Sequence, residues 1–232
     1  IRVRNVQEGL RLHGVDVRNH LSSLSMRLIK PIRYCEGVLV VPEAISISIS
    51  GIASLARNDM ESNGGLMSEL DDFRAEKDEF FGKHPQSPLT RELDFKGLHY
   101  FPENDALRLD VQVELLNDPQ PIMMQTSTGG VQEYMRYGKF KFQVDGQEVE
   151  LTIYQADYGF FLPFVDALAG KETYPAGRYL EPELLPGNHF LVDFNIAYNP
   201  YCAYNDAWSC PITPAENRLK VPIEAGEKLF HE

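Results

Sequence analysis

Aromatic residues are nearly missing from the first 66 positions: of 13 Phe, 11 Tyr and one Trp in the 232-residue chain, only Tyr34 precedes Met67. A segment so poor in large apolar side chains has little with which to build a core. Cysteine is scarce too. Three residues, Cys35, Cys202 and Cys210, exclude a disulfide-dense scaffold, and the odd count leaves at least one thiol unpaired within the chain. Cations are outnumbered, 22 Lys and Arg against 34 Asp and Glu, for a formal charge of −12. That balance repels phosphate backbones and anionic lipid surfaces, so neither nucleic acid nor a membrane surface is an expected partner. Uninterrupted apolar runs are lacking: the stretch from Val38 to Ala56 follows Arg27, Lys30 and Arg33 but is broken by Pro42, Glu43 and four serines. A spanning helix wants about 20 predominantly apolar residues. There is no P-loop, no GxGxxG after a strand, no HExxH, no EF-hand loop and no GxSxG elbow, so the sequence names no cofactor.

Two compositions meet near Met67. Residues 1–66 hold eight basic and six acidic residues and eight of the twelve serines, so the acidity belongs to the remainder. We expect 1–66 to be a poorly ordered extension, or sequence upstream of a natural start at Met67, and 67–232 to be a single globular domain. The expected location is the cytoplasm, export being the alternative if 27–56 acts as a signal. Gly64-Gly65 would make the junction flexible.

From Met67 the periodicities are readable. Ser68 with Asp71 forms a loose capping box, and Leu70, Phe73, Phe80 and Phe81 recur at helical spacing, predicting a helix that ends at Gly82. Alternation of period two follows: Leu107 to Leu115, then Phe140, Phe142 and Val144, then Val149, Leu151 and Ile153. The last two runs flank Asp145-Gly146, a strong short-range hairpin signal, and Gly129-Gly130 separates Ile122–Thr126 from Val131–Tyr137. Without apolar helices long enough for parallel crossovers, the expected fold is α+β and β-rich: an antiparallel meander forming a sandwich or barrel, with an N-terminal helix and a loop-rich C-terminal lid.

The motif-bearing region runs Lys171-Glu172-Thr173-Tyr174-Pro175-Ala176-Gly177-Arg178-Tyr179-Leu180, Asp193-Phe194-Asn195-Ile196-Ala197-Tyr198-Asn199-Pro200-Tyr201-Cys202-Ala203-Tyr204, then Cys210 to Leu219 and Ile223 to Lys228. With the upstream FKGLHYFP at Phe95–Pro102, it resembles the uncharacterised bacterial and archaeal family known as domain of unknown function sixteen eighty-four. The likeness covers roughly Phe73 to Lys228. It implies a shared fold and site position, and brings no reaction with it.

The chemistry is therefore read from the residues. If Phe190–Ala197 is one strand, Phe190, Val192, Phe194 and Ile196 share one face, while Asp193 and Asn195 project side by side from the other. They are expected either to lie on a wet face or to line a polar pocket, with Arg178 as counter-charge. Glu172, Asp193 and Glu216 are the candidate acid/base groups, with Asp193 and Glu172 the first choices for catalysis. Arg178, Asn195, Tyr198, Tyr204, Glu216 and Asn217 are the candidate ligand-binding residues. Tyr174, Tyr179, Tyr198, Tyr201 and Tyr204 would suit a small organic ligand or simply pack with polar tips outward. Cys202 and Cys210 are expected to be near neighbours, as a disulfide or as two thiols, with Cys35 not their partner; a zinc site lacks paired ligands. The leading expectation is a small-molecule-binding domain. A hydrolase or isomerase using Asp193 or Glu172, and a structural or interaction protein without a small ligand, are the alternatives.

Overall fold

The computed structural model describes residues 68–89 and 94–231, so the expectations for 1–66 and Cys35 lie outside the described residues. Helix α1 spans Glu69–Lys83. Its capping box forms as anticipated: the Ser68 hydroxyl accepts from the Asp71 N–H at 3.1 Å, and the Asp71 carboxylate accepts from the Ser68 N–H at 3.2 Å. The buried stripe is Leu70, Lys77 and Phe81, so a lysine occupies the phase at which the pattern had offered only polar surface. The helix is held by its neighbours. Arg74 donates to the Phe101 carbonyl at 3.0 Å, and Asp78 accepts from the Leu98 N–H at 3.0 Å.

Among the described residues nine strands make two antiparallel sheets. One has the order β1(Arg108–Gln112), β9(His189–Asp193), β8(Glu183–Leu185). The other has the order β2(Glu114–Leu115), β4(Val131–Val144), β5(Gln147–Ala156), β6(Gly159–Phe164), β7(Arg178–Leu180), with β3(Pro121–Gln125) also paired to β4. β1 and β2 are separated by Val113 alone, so the chain turns a corner there from one sheet into the other. The inner faces bury Val111, Phe190 and Val192 from the small sheet against Phe140, Phe142, Leu151, Ile153, Leu162 and Phe164 from the large one. Each such side chain contributes about 1.5–3 kcal/mol on leaving water. The architecture is an α+β sandwich; the large sheet ends at β2 and β7 and does not close into a barrel.

The hairpin at Asp145-Gly146 forms where the sequence placed it. Val144 faces Gln147, and both turn residues have positive φ, 50° and 75°, as a two-residue turn matched to strand twist requires. β4 carries a bulge: the register with β5 shifts between Arg136 and Gly138, leaving Tyr137 unopposed. The two alternating runs of β4 are therefore out of phase with each other. Phe140 and Phe142 face the sandwich core, whereas Tyr134 and Arg136 share the opposite, outer face with Tyr154, Phe161 and Tyr179.

Much of that outer face is covered by the irregular stretch after β9, through Tyr198, Pro211 and Glu216, while Arg136 and Glu216 stay partly exposed. The expected strand to Ala197 stops at Asp193, whose carboxylate accepts from the Asn195 N–H at 2.9 Å and caps a 3-10 turn over Phe194–Ile196. A side chain that bonds the backbone two residues on competes with the extended ladder and here wins. In consequence Ile196 is 36% exposed and Asn195 is buried, the reverse of a continued alternation. The 3-10 turns over Tyr201–Ala203 and Ala215–Asn217 each follow a proline, Pro200 and Pro214.

Candidate functional site

The charged groups named from the sequence separate into several places. Arg178 is fully buried and is held by the Asp166 carboxylate at 2.7 Å and by the carbonyls of Ile223 at 2.8 Å, Glu227 at 2.9 Å and Ala225. Burial lowers its pKa and the Asp166 charge opposes that shift. Its ion partner is thus Asp166, not Asp193. Asp166 also accepts from the Leu168 N–H at 2.7 Å and the Thr173 hydroxyl at 3.3 Å, which accounts for a buried threonine in the Glu172–Leu180 run.

Asp193 stands across the β1–β9 pair from Arg108, whose Nε lies 3.7 Å away. Asn195 does lie beside it, at 2.9 Å, but its amide is spent on the backbone of Asn104, accepting from N at 2.7 Å and donating to O at 3.0 Å. The expected pocket floor of Arg178, Asp193 and Asn195 is replaced by two fixings of the chain to itself. Glu172 is half-exposed and pairs with Lys228 at 3.0 Å.

The tyrosines divide. Tyr204 donates at 2.6 Å to the buried Glu227 carboxylate, which also accepts from the Asn199 N–H at 2.7 Å and forms an ion pair with Lys77. Tyr198 donates to Glu181 at 3.2 Å, and the Lys77 ammonium lies 5.0 Å from its ring centre. Tyr179 donates to the Pro211 carbonyl. Burial raises the pKa of Tyr179, Tyr198 and Tyr204 well above the usual phenol range, so each is a neutral hydrogen-bond donor.

Asn217 and Glu216 are adjacent and point to different tasks. Asn217 is fully buried. Its carbonyl oxygen accepts from the Thr152 N–H, and its amide donates to the carbonyls of Thr152 and Pro163, all at 2.8 Å. Continuing the β5–β6 register would set Thr152 against Pro163, which has no N–H to give. The Asn217 amide completes the ladder at that place.

Glu216 lies on the outer face, where one carboxylate oxygen, Oε1, accepts both from Arg136 Nε and from the Tyr154 hydroxyl, each at 2.9 Å. Glu216 and Arg136 are each 31% exposed, whereas Tyr154 is buried. Desolvation would raise the Glu216 pKa, but hydrogen bonds from its own backbone, Arg136 and Tyr154 prevail and hold it below the usual glutamate value. Desolvation and the Glu216 charge push the Tyr154 phenol far above its usual range. The group is an ionised carboxylate, a guanidinium and a protonated phenol. Beside it, Tyr134 is hydrogen-bonded to Gln132 and to the half-exposed Tyr158, both at 3.0 Å. Gly159, two residues from Phe161 on β6, has open space where a Cβ would stand.

Sequence reasoning nominated Glu216 and missed Arg136, Tyr134 and Tyr154. Their alternation was legible, but the bulge at Tyr137 conceals that Arg136 belongs to the face of Tyr154.

Cys202 and Cys210 are neighbours, the Cys202 N–H donating to Cys210 Sγ at 3.3 Å. Cys202 is nonetheless a free, buried thiol and Cys210 is disulfide-bonded, so they do not bridge each other. Burial raises the Cys202 pKa, partly offset by hydrogen bonds from Tyr174 and Ser127. Among the described residues no group of three or more His, Cys, Asp or Glu is placed to hold a metal ion, and no helix is long and apolar enough to cross a membrane.

Among curated proteins none matches the chain. Among solved structures, the solution NMR structure of an uncharacterized protein from Haloarcula marismortui is 37% identical, covers 70% of this chain and 94% of its own, and superposes with a TM-score of 0.55. Residues 93–228 match the family described as Protein of unknown function (DUF1684), and the chain belongs to that family.

Proposed function

We propose that this protein is a small-molecule-binding domain whose ligand lies on the outer face of the six-stranded sheet, at Arg136, Tyr154 and Glu216. One observation carries the reading: these three form a fixed polar group, open to solvent on one side and anchored by a buried phenol on the other. An ordinary surface ion pair is worth about 0–1 kcal/mol and wanders among rotamers. Here the Tyr154 hydroxyl holds the carboxylate in place, which is the preorganisation a binding site needs. The net charge of −12 favours a small ligand over nucleic acid. A cytoplasmic location belongs to the same proposal; low cysteine content supports it, the disulfide at Cys210 argues for an oxidising compartment, and cell fractionation decides.

The test is a thermal-shift screen of the full chain against a metabolite library, repeated with Glu216→Gln and Arg136→Met. Compounds that raise the wild-type melting temperature and fail to raise that of both variants support the site. Compounds that stabilise all three proteins equally place binding elsewhere and refute it.

A further inference from the structure

Resting on that reading of the site, we infer that its ligand class is the zwitterion: a small molecule bearing a carboxylate and an ammonium a few bonds apart, as an α-amino acid does. The argument begins with what the Arg136–Glu216 pair leaves over. Arg136 reaches Glu216 through Nε alone, at 2.9 Å, and Nη1 and Nη2 have no hydrogen-bond partner among the described residues. Those two nitrogens form one edge of the guanidinium fork, an edge whose spacing matches the two oxygens of a carboxylate. Both Arg136 Nε and the Tyr154 hydroxyl fall on Glu216 Oε1, so Oε2 accepts no hydrogen bond from any other described residue. That oxygen remains available to an ammonium.

Charge selects in the same direction. The site holds one fixed cation and one fixed anion side by side: a guanidinium, and a carboxylate kept ionised because the Glu216 pKa is held low. A purely anionic ligand would gain Arg136 and face Glu216, and a purely cationic one the converse. A ligand carrying both charges meets each fixed charge with its opposite, and its net neutrality suits a site whose own charges cancel. Tyr134 and Tyr154, buried on the same sheet face as Arg136, back the site, so their ring signals report on a ligand held over it.

The test uses full-length protein with 13C-labelled tyrosine rings, titrated with L-phenylalanine, N-acetyl-L-phenylalanine, L-phenylalaninamide and benzyl alcohol. The first keeps both charges, the next two keep one each, and the last has none. The expected result is that L-phenylalanine shifts the Tyr134 and Tyr154 ring signals and binds at least tenfold more tightly than any of the other three. Glu216→Gln should narrow the gap to the N-acetyl compound, and Arg136→Met the gap to the amide. A one-charge or uncharged probe that shifts the same signals as strongly overturns the zwitterion class while leaving the binding site in place. If all four probes leave those signals unmoved while a library compound moves them, the class is again overturned and the site retained. Silence from both overturns the two together.

Discussion

Replacing Asn217 by alanine removes one amide and strands three backbone groups: the N–H and C=O of Thr152 and the C=O of Pro163. All three bonds are buried, and no N–H of Pro163 can restore the missing rung. Leaving a buried polar group unsatisfied costs about 1–3 kcal/mol. Water entering the space vacated by the amide would relieve part of that, so the lower part of the summed range applies, roughly 3–5 kcal/mol. For a protein of this size each kcal/mol moves the melting temperature by about 2–4 °C, placing the variant roughly 6–20 °C below wild type. Asn217→Asp keeps an acceptor for the Thr152 N–H but sets a carboxylate against two carbonyls, so it should be no better than alanine at neutral pH. Urea unfolding followed by circular dichroism measures both. A loss below about 1 kcal/mol for Asn217→Ala would refute the argument that this side chain stands in for a strand, and would return Asn217 to the ligand-binding role its motif first suggested.

Lys77→Met leaves the Glu227 carboxylate buried without its cation and should cost roughly 3–5 kcal/mol, while Lys77→Met with Glu227→Gln should recover much of it; denaturant midpoints of the two variants decide. Gly177→Ala forces a Cβ to 2.5 Å from the Phe164 carbonyl at a φ of 104°, and should yield little folded protein on expression. Cys202 should resist iodoacetamide in the native state and react once denatured, as mass spectrometry of the alkylated chain would record; prompt native labelling would contradict its burial. A chain beginning at residue 93, where the family match starts, should fail to fold because it lacks Lys77, and should show no cooperative melt where the full-length protein shows one.

The strands of this protein were legible wherever burial on one face left an uninterrupted period of two, as at Phe140, Phe142, Leu151 and Ile153. Legibility failed where a side chain, rather than hydropathy, decided the backbone. Asp193 ends its strand by capping a turn, and nothing in the pattern of Phe190, Val192, Phe194 and Ile196 announces that. Lys77 reads as solvated because its partner Glu227 is 150 positions away. Arg178 was recognised as a cation needing an anion, but the choice between Asp166 and Asp193 is made by tertiary geometry. In the same way Glu216 was named while Arg136, 80 residues distant, was not.

The stretch from Tyr198 to Lys228 covers the outer face with almost no ladder of its own, using short 3-10 turns, isolated bridges and side chains such as Tyr198, Tyr204 and Asn217. Its detachment would therefore leave the far-ultraviolet spectrum nearly unchanged, since the peptide dichroism comes from strands and helix elsewhere. The protein's one tryptophan, Trp208, sits inside this stretch with its ring 4.8 Å from that of Tyr201. Indole emission thus reports on the cover and amide absorption on the sandwich beneath, so a separation of the two transitions on heating would reveal a state in which the sheet stands bare.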